Sequence, residues 1–242
     1  MEQSKTNFFS KIYSFLVIIF IAINSIIMSI IALLLMFLSD KSIFHKLARI
    51  WAKSILMSAR VKLFVSGVEN LDLNKSYIFC VNHSSLLDIP ILQTAIPHNF
   101  RIIYKKELEK IPIFGWGLAK SPYIGIKRQS GRDSMAGIDE AVESIKTGES
   151  VVVFPEGTRS NDGKLGEFKR GAFLLASRSG KEIVPVTIIG SSKLLPNKKF
   201  LIGSGTIKVI ISKPIEYNGS SKIEELNLMK QVHSIINSNL VI

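Results

Sequence analysis

From Ile12 to Ser39 no side chain carries a charge, an unbroken run of 28 residues. About 20 apolar residues are enough to carry a helix across the hydrocarbon core of a bilayer. Inside that core each backbone polar group must be bonded within its own segment. A stretch of this length and polarity is therefore expected to be helical and membrane-embedded. It can run as one tilted span, or bend at Asn24-Ser25 near its middle and dip into one leaflet as a hairpin. It exceeds the apolar core of a secretory signal and is read as retained.

The next segment changes character. Lys41, Lys46, Arg49, Lys53, Arg60 and Lys62 supply positive charge with no acid among them, while Ile43, Phe44, Leu47, Ile50, Trp51, Ile55 and Leu56 recur at helical spacing. This predicts a basic amphipathic helix that can lie on anionic headgroups or pack its apolar face on the body of the protein. The positive cluster places the following domain on the cytoplasmic side. Residues 1–60 are thus expected to form a two-helix membrane segment (apolar over 12–39, basic over 41–60), and 61–242 a separate globular domain. That remainder is long enough for one full hydrophobic core.

A net charge of +12 points to an anionic partner. Nucleic acid is excluded as that partner: zinc-finger spacing, an aromatic RNP pattern and a basic helix leading into heptads are all missing. Cys80 is the only cysteine, so no intramolecular disulfide can form, and it sits in the apolar run Tyr77-Ile78-Phe79-Cys80-Val81 as a buried strand residue would. The histidines His45, His83, His98 and His233 show no ligand-pair spacing, and no metal site is expected.

Strands are predicted at Val61–Val65, Tyr77–Val81, Arg101–Tyr104, Ser150–Phe154, Ile183–Ile189 and Thr206–Ile211, several of them continuous apolar runs suited to a sheet covered on both faces. Helical patterns lie between them at Ile89–Ala95, Ser134–Lys146, Gly171–Arg178 and Ser221–Asn239. Strands alternating with helices give an α/β domain with a mixed, largely parallel sheet flanked by helices. Ligands of such sheets gather beyond the strand ends. Two candidate motifs follow directly on strands, so one rim can hold both.

In the first motif, Asn82-His83-Ser84-Ser85-Leu86-Leu87-Asp88, a histidine precedes a carboxylate by five residues. On a continuous helix this spacing turns the two side chains roughly 140° apart. They meet only across a bend, and Pro90 sets one, because deep in a helix it would cost about 3 kcal/mol. His83 then sits on the turn and Asp88 near the helix start, where a carboxylate can fix the ring tautomer and leave the other nitrogen free as a base. The alternative is structural: Ser85 and Asp88 also fit an N-terminal capping pattern. Ser84 and Ser85 lack the glycine-flanked elbow of a nucleophile. In the second motif, Phe154-Pro155-Glu156-Gly157-Thr158-Arg159, an acid and an arginine share a tight loop. Arg159 can grip a phosphate through two parallel hydrogen bonds, and Glu156 can accept from a substrate hydroxyl or hold Arg159.

Taken together the blocks resemble the 1-acylglycerol-3-phosphate acyltransferases and their glycerolipid acyltransferase relatives, over about Ser66 to Pro214. The likeness rests on His83 to Asp88, on Phe154 to Ser160, on Lys105-Lys106-Glu107-Leu108 with Ile111-Pro112-Ile113-Phe114-Gly115, and on Val184-Pro185-Val186. Lys169-Arg170-Gly171 and Lys213-Pro214-Ile215 are similar to further family segments. One block departs: Ser121-Pro122-Tyr123-Ile124-Gly125-Ile126-Lys127-Arg128 lacks a usual glycine and aromatic but keeps Arg128. The resemblance implies an enzyme of phospholipid biosynthesis, and the abundance of Ile, Lys, Asn and Ser points to a bacterium, hence to the inner membrane. The enzyme would move a fatty acyl group from acyl-CoA or acyl carrier protein to the sn-2 hydroxyl of lysophosphatidic acid, giving phosphatidic acid, with no other cofactor. His83 and Asp88 would be catalytic, and Glu156, Gly157, Thr158, Arg159, Arg128 and Lys105 would bind the glycerol phosphate. The altered block before Arg128 leaves glycerol 3-phosphate or another lysolipid as alternative acceptors. A silent lipid-binding protein is the alternative outside enzymes.

Overall fold

The computed structural model describes residues 8–35, 42–127, 131–197, 201–217, 219 and 221–241. Its centre is a seven-stranded sheet built from β1 (Val61–Ser66), β2 (Ile78–Val81), β3 (Phe100–Lys105), β4 (Ile124–Ile126), β5 (Ser150–Val153), β6 (Ile183–Ile189) and β7 (Gly205–Ile211). The spatial order is β1-β7-β6-β2-β5-β3-β4. Neighbours are parallel throughout except β6 with β7, so the expected mixed, largely parallel sheet is found. The carboxyl ends of β6, β2, β5, β3 and β4 consequently share one rim.

The helices are α1 (Phe8–Leu35), α2 (Ser42–Ser58), α3 (Asp88–Ala95), α4 (Phe114–Lys120), α5 (Gly131–Lys146), α6 (Gly171–Ser179), α7 (Ser191–Leu194) and α8 (Lys222–Leu240). They cover both faces of the sheet, which explains why β2 and β5 are buried at every position. Alternate residues of β2 enter different cores. Phe79 and Val81 pack with Ile55, Leu56, Ile91 and Leu92 of α2 and α3. Ile78 and Cys80 pack with Ile145, Phe173 and Val232 of α5, α6 and α8. Burial raises the Cys80 thiol pKa far above its ordinary range, as expected of a packing residue.

The N-terminal segment differs from a free membrane span. α1 runs without interruption through Asn24 and Ser25, so the bend that would make it a hairpin is absent. Those residues instead bond α2: Asn24 Nδ2 donates to Ser54 Oγ at 2.9 Å, and Trp51 Nε1 donates to Ser25 Oγ at 3.0 Å. Tyr13 donates to the Ser58 carbonyl at 2.6 Å, and Ser14 exchanges hydrogen bonds with the backbone of Ile202. The polar residues of α1 therefore hold one face to the body. The other face exposes Ile12, Phe15, Leu16, Ile19, Phe20, Ile23, Ile26, Ile27, Ile30 and Leu34 at helical spacing. At 28 residues α1 is long and apolar enough to cross a membrane. α2 packs its apolar face on the body, the second of the two arrangements expected of it. It buries His45, Ala52, Ile55 and Leu56 in the body. It also leaves Lys46, Ile50, Lys53 and Met57 exposed along one stripe.

Candidate active site

The His83–Asp88 turn is assembled at the end of β2. Where β2 parts from β6, the side chain of Asn82 takes over the ladder: its Nδ2 donates to the Ile188 carbonyl at 2.9 Å and its Oδ1 accepts from the Ile188 amide at 2.8 Å. α3 begins at Asp88, with Pro90 in its first turn, as the sequence required. Asp88 is fully buried, and its Oδ2 accepts from the backbone amides of Ser84 and Ser85, both at 2.8 Å. The same oxygen lies 2.8 Å from His83 Nδ1. A carboxylate there makes Nδ1 the protonated nitrogen and turns Nε2 outward as the acceptor. The His83 ring stacks on Phe154, centroids 4.0 Å apart and planes at 22°, which fixes its second rotational freedom. The side chain retains 17% exposure. The capping pattern is present beside this contact: the Ser85 amide donates to Asp88 Oδ2 and Ser85 Oγ accepts from the Leu87 amide at 3.2 Å, so Asp88 both closes the turn and holds the ring. Ser84 and Ser85 are buried and engaged, Ser84 Oγ with Ser191 Oγ at 3.1 Å and Ser85 Oγ with the Leu195 carbonyl at 2.9 Å.

The second motif leaves β5 one strand away and is bonded to the first through the backbone. The Ser160 amide donates to the His83 carbonyl at 2.8 Å. Glu156 has a role in the protein itself that was not foreseen. Its Oε1 accepts from the His83 amide at 2.7 Å and its Oε2 from the Gly166 amide at 2.8 Å. The carboxylate is buried and bridges backbone to backbone, and it forms no ion pair with Arg159. Desolvation raises its pKa above the ordinary 4.5, although the two backbone hydrogen bonds oppose that shift. With the folded pKa raised, the contribution of Glu156 to stability is largest below about 4.5 and declines as pH rises through the folded value. Glu156→Gln removes the ionisation but leaves one backbone amide facing an NH2 group. It is expected to cost about 1–3 kcal/mol. In paired denaturant titrations, the stability advantage of the wild type over this variant should shrink as pH rises above 4.5.

Gly157 adopts φ +73°, a left-handed conformation that favours glycine. Thr158 is exposed and Arg159 half-buried at the loop tip, and Arg159 forms no ion pair among the described residues. Lys105 ends β3 on the same rim, exposed. Two strand spacings separate β3 from β2, about 10 Å along the rim. Arg128 lies outside the described residues. The block Val184-Pro185-Val186 is within β6, where Pro185 pairs with Cys80. Phe154, Asn82 and the Glu156 bridge carry the geometry, and sequence reasoning assigned none of these roles. The adjacency of Asn82 and Phe154 to the two motifs was the available signal.

Similarity to known proteins agrees with this arrangement. A protein-family model described as Acyltransferase matches residues 62–189, which include both loops. The chain is 38% identical over 173 residues to the chloroplastic 1-acyl-sn-glycerol-3-phosphate acyltransferase LPAT1 of Arabidopsis thaliana, covering 71% of this chain and 48% of that protein. It is 30% identical to the 1-acyl-sn-glycerol-3-phosphate acyltransferase of Borreliella burgdorferi, over 78% of this chain and 74% of the relative. The chain spans about half the length of the plant relatives it matches. The crystal structure of the 1-acyl-sn-glycerophosphate (LPA) acyltransferase PlsC from Thermotoga maritima superposes with a TM-score of 0.78 at 27% identity, over 96% of this chain and 95% of that one. With its rim, both motif loops and more than half of its length inside the family match, the chain belongs to the acyltransferase family.

Proposed function

We propose that the protein transfers a fatty acyl group from a thioester to the sn-2 hydroxyl of lysophosphatidic acid, forming phosphatidic acid. The observation that carries this reading is the 2.8 Å contact of His83 Nδ1 with Asp88 Oδ2, in a turn bonded directly to the Glu156–Ser160 loop. His83 Nε2 removes the proton from the acceptor hydroxyl as its oxygen attacks the thioester carbonyl. The tetrahedral intermediate collapses, the C–S bond breaks, and the leaving thiolate takes the proton back from the imidazolium. Hydroxyl plus thioester gives ester plus thiol, so the reaction balances without redox chemistry or a further cofactor. Asp88 holds the ring and stabilises its positive form. Holding the hydroxyl against the base can contribute several kcal/mol of the barrier.

Arg159, the backbone of Gly157 and Thr158, and Lys105 on the rim hold the glycerol phosphate, and the family resemblance adds Arg128 to them. Glu156 serves as the bridge that registers this loop against His83. Acyl-CoA or acyl carrier protein is the donor. The exposed face of α1 enters the bilayer, and α4, packed on α1, adds the exposed Trp116, with Ile111 exposed just ahead of the helix. Leu86, 57% exposed on the His83 turn, also faces outward, which suits entry of the lysolipid from the membrane. The basic stripe of α2 favours the cytoplasmic leaflet.

Arg159→Ala tests the anion role. Hydrogen bonds to a charged group are worth about 1.5–3 kcal/mol, so KM for lysophosphatidic acid is expected to rise roughly tenfold or more with a smaller change in kcat. An unchanged KM sinks the assignment of Arg159. An acceptor panel with glycerol 3-phosphate and larger lysolipids separates the proposed acceptor from its alternatives.

A further inference from the structure

The anion loop carries a second cation close to its backbone. Lys169 reaches back over Gly157: a β-carbon added there would lie 2.9 Å from Lys169 Nζ and 3.1 Å from its Cδ and Cε. The lysine is anchored for this, since its amide donates to the Pro155 carbonyl at 2.8 Å. The next residue, Arg170, is already neutralised by an ion pair with the buried Glu225 of α8. Lys169 has no ion pair among the described residues. Its neighbouring acid in the loop, Glu156, bonds the His83 and Gly166 amides and forms no ion pair with it. An exposed ammonium thus rests on the loop that presents Arg159, uncompensated by the protein.

We propose that Lys169 is a further phosphate-binding residue of this site, completing with Arg159 a two-cation clamp that favours a phosphomonoester headgroup. This rests on the reading of the rim as the site for a phosphorylated lysolipid. Gly157 then has a double role. Its left-handed φ of +73° shapes the turn, and its missing side chain lets the ammonium approach the backbone. A monoester approaches two negative charges near neutral pH, whereas a diester carries one. A second cation therefore adds more affinity for the monoester.

The test uses the full-length protein in detergent micelles, with binding of lysophosphatidic acid and of a lysophospholipid with a phosphodiester headgroup measured by calorimetry, and acyl transfer measured alongside. Lys169→Met is expected to weaken lysophosphatidic acid binding and raise its KM about tenfold, to affect the diester less, and to leave kcat within a factor of about three. Lys169→Arg should recover most of the loss, because it keeps the charge on a long stem. Gly157→Ala should reproduce the monoester-selective loss by displacing the ammonium. If Lys169→Met binds the monoester as tightly as the wild type, the proposal is overturned, as it is if the wild type binds no phosphorylated lysolipid. If the wild type binds lysophosphatidic acid in a Lys169-dependent way but transfers no acyl group, the clamp stands and the acyltransfer reading fails.

Discussion

Replacing His83 with alanine is expected to slow phosphatidic acid formation by about 10²–10⁴-fold, the usual contribution of a positioned general base. The loss should appear in kcat, because in the proposed mechanism His83 acts on the hydroxyl that reacts and not on the phosphate that anchors it. Stability should change little. The ring is partly exposed and stacked on Phe154, and its removal leaves Asp88 Oδ2 still bonded to two backbone amides. A variant that folds like the wild type, binds lysophosphatidic acid and does not turn over fits the account. One that retains most of its kcat excludes His83 as the base.

Asp88 is expected to behave differently, because three donors converge on one of its oxygens: His83 Nδ1 and the amides of Ser84 and Ser85. Alanine at this position leaves two buried amides without an acceptor, at about 1–3 kcal/mol each. Domains of this kind are stable by only about 5–15 kcal/mol. Asp88→Ala should therefore lose a large part of its folding free energy as well as its activity. Asparagine separates the two roles. Its amide oxygen can receive the same three hydrogen bonds but carries no charge to balance the imidazolium. Asp88→Asn should therefore lose much of kcat, up to the roughly 10²–10⁴-fold that a positioned base contributes, with a much smaller loss of stability. Equal stability of the alanine variant and wild type in urea would refute the structural half of this assignment. Full activity of the asparagine variant would refute the electrostatic half.

These predictions depend on distances that no local pattern reveals. The long apolar runs marked six of the seven strands, because β2, β5 and β6 are covered on both faces. β4 was missed: Ile124-Gly125-Ile126 is too short for a pattern, and its glycine is there for packing, since a β-carbon on Gly125 would lie 2.9 Å from both Tyr104 Oη and Glu109 Oε1. α4 was missed for a similar reason. Gly115 lies against the carbonyls of Leu108 and Glu109, and Gly117 against Ser29 of α1, so residues that weaken a helix by propensity are used for close approach. The His83–Asp88 turn was legible because Pro90 and the five-residue spacing leave few options. The inward direction of Glu156 was not, since its partners His83 and Gly166 are settled by tertiary packing. The same holds for α1. Its composition announces a membrane helix, but only the structure shows Asn24 and Ser25 turned onto α2 and one face docked along the body.

The most direct test of the central claim is the product of a reaction between purified protein, lysophosphatidic acid and a labelled acyl thioester, analysed by mass spectrometry with thiol release followed in parallel. The account predicts phosphatidic acid bearing the label at the sn-2 oxygen, with one thiol released per ester formed and both signals lost in the His83→Ala variant. Labelled free fatty acid in place of the ester, or labelled phosphatidic acid formed equally well by His83→Ala, would contradict it.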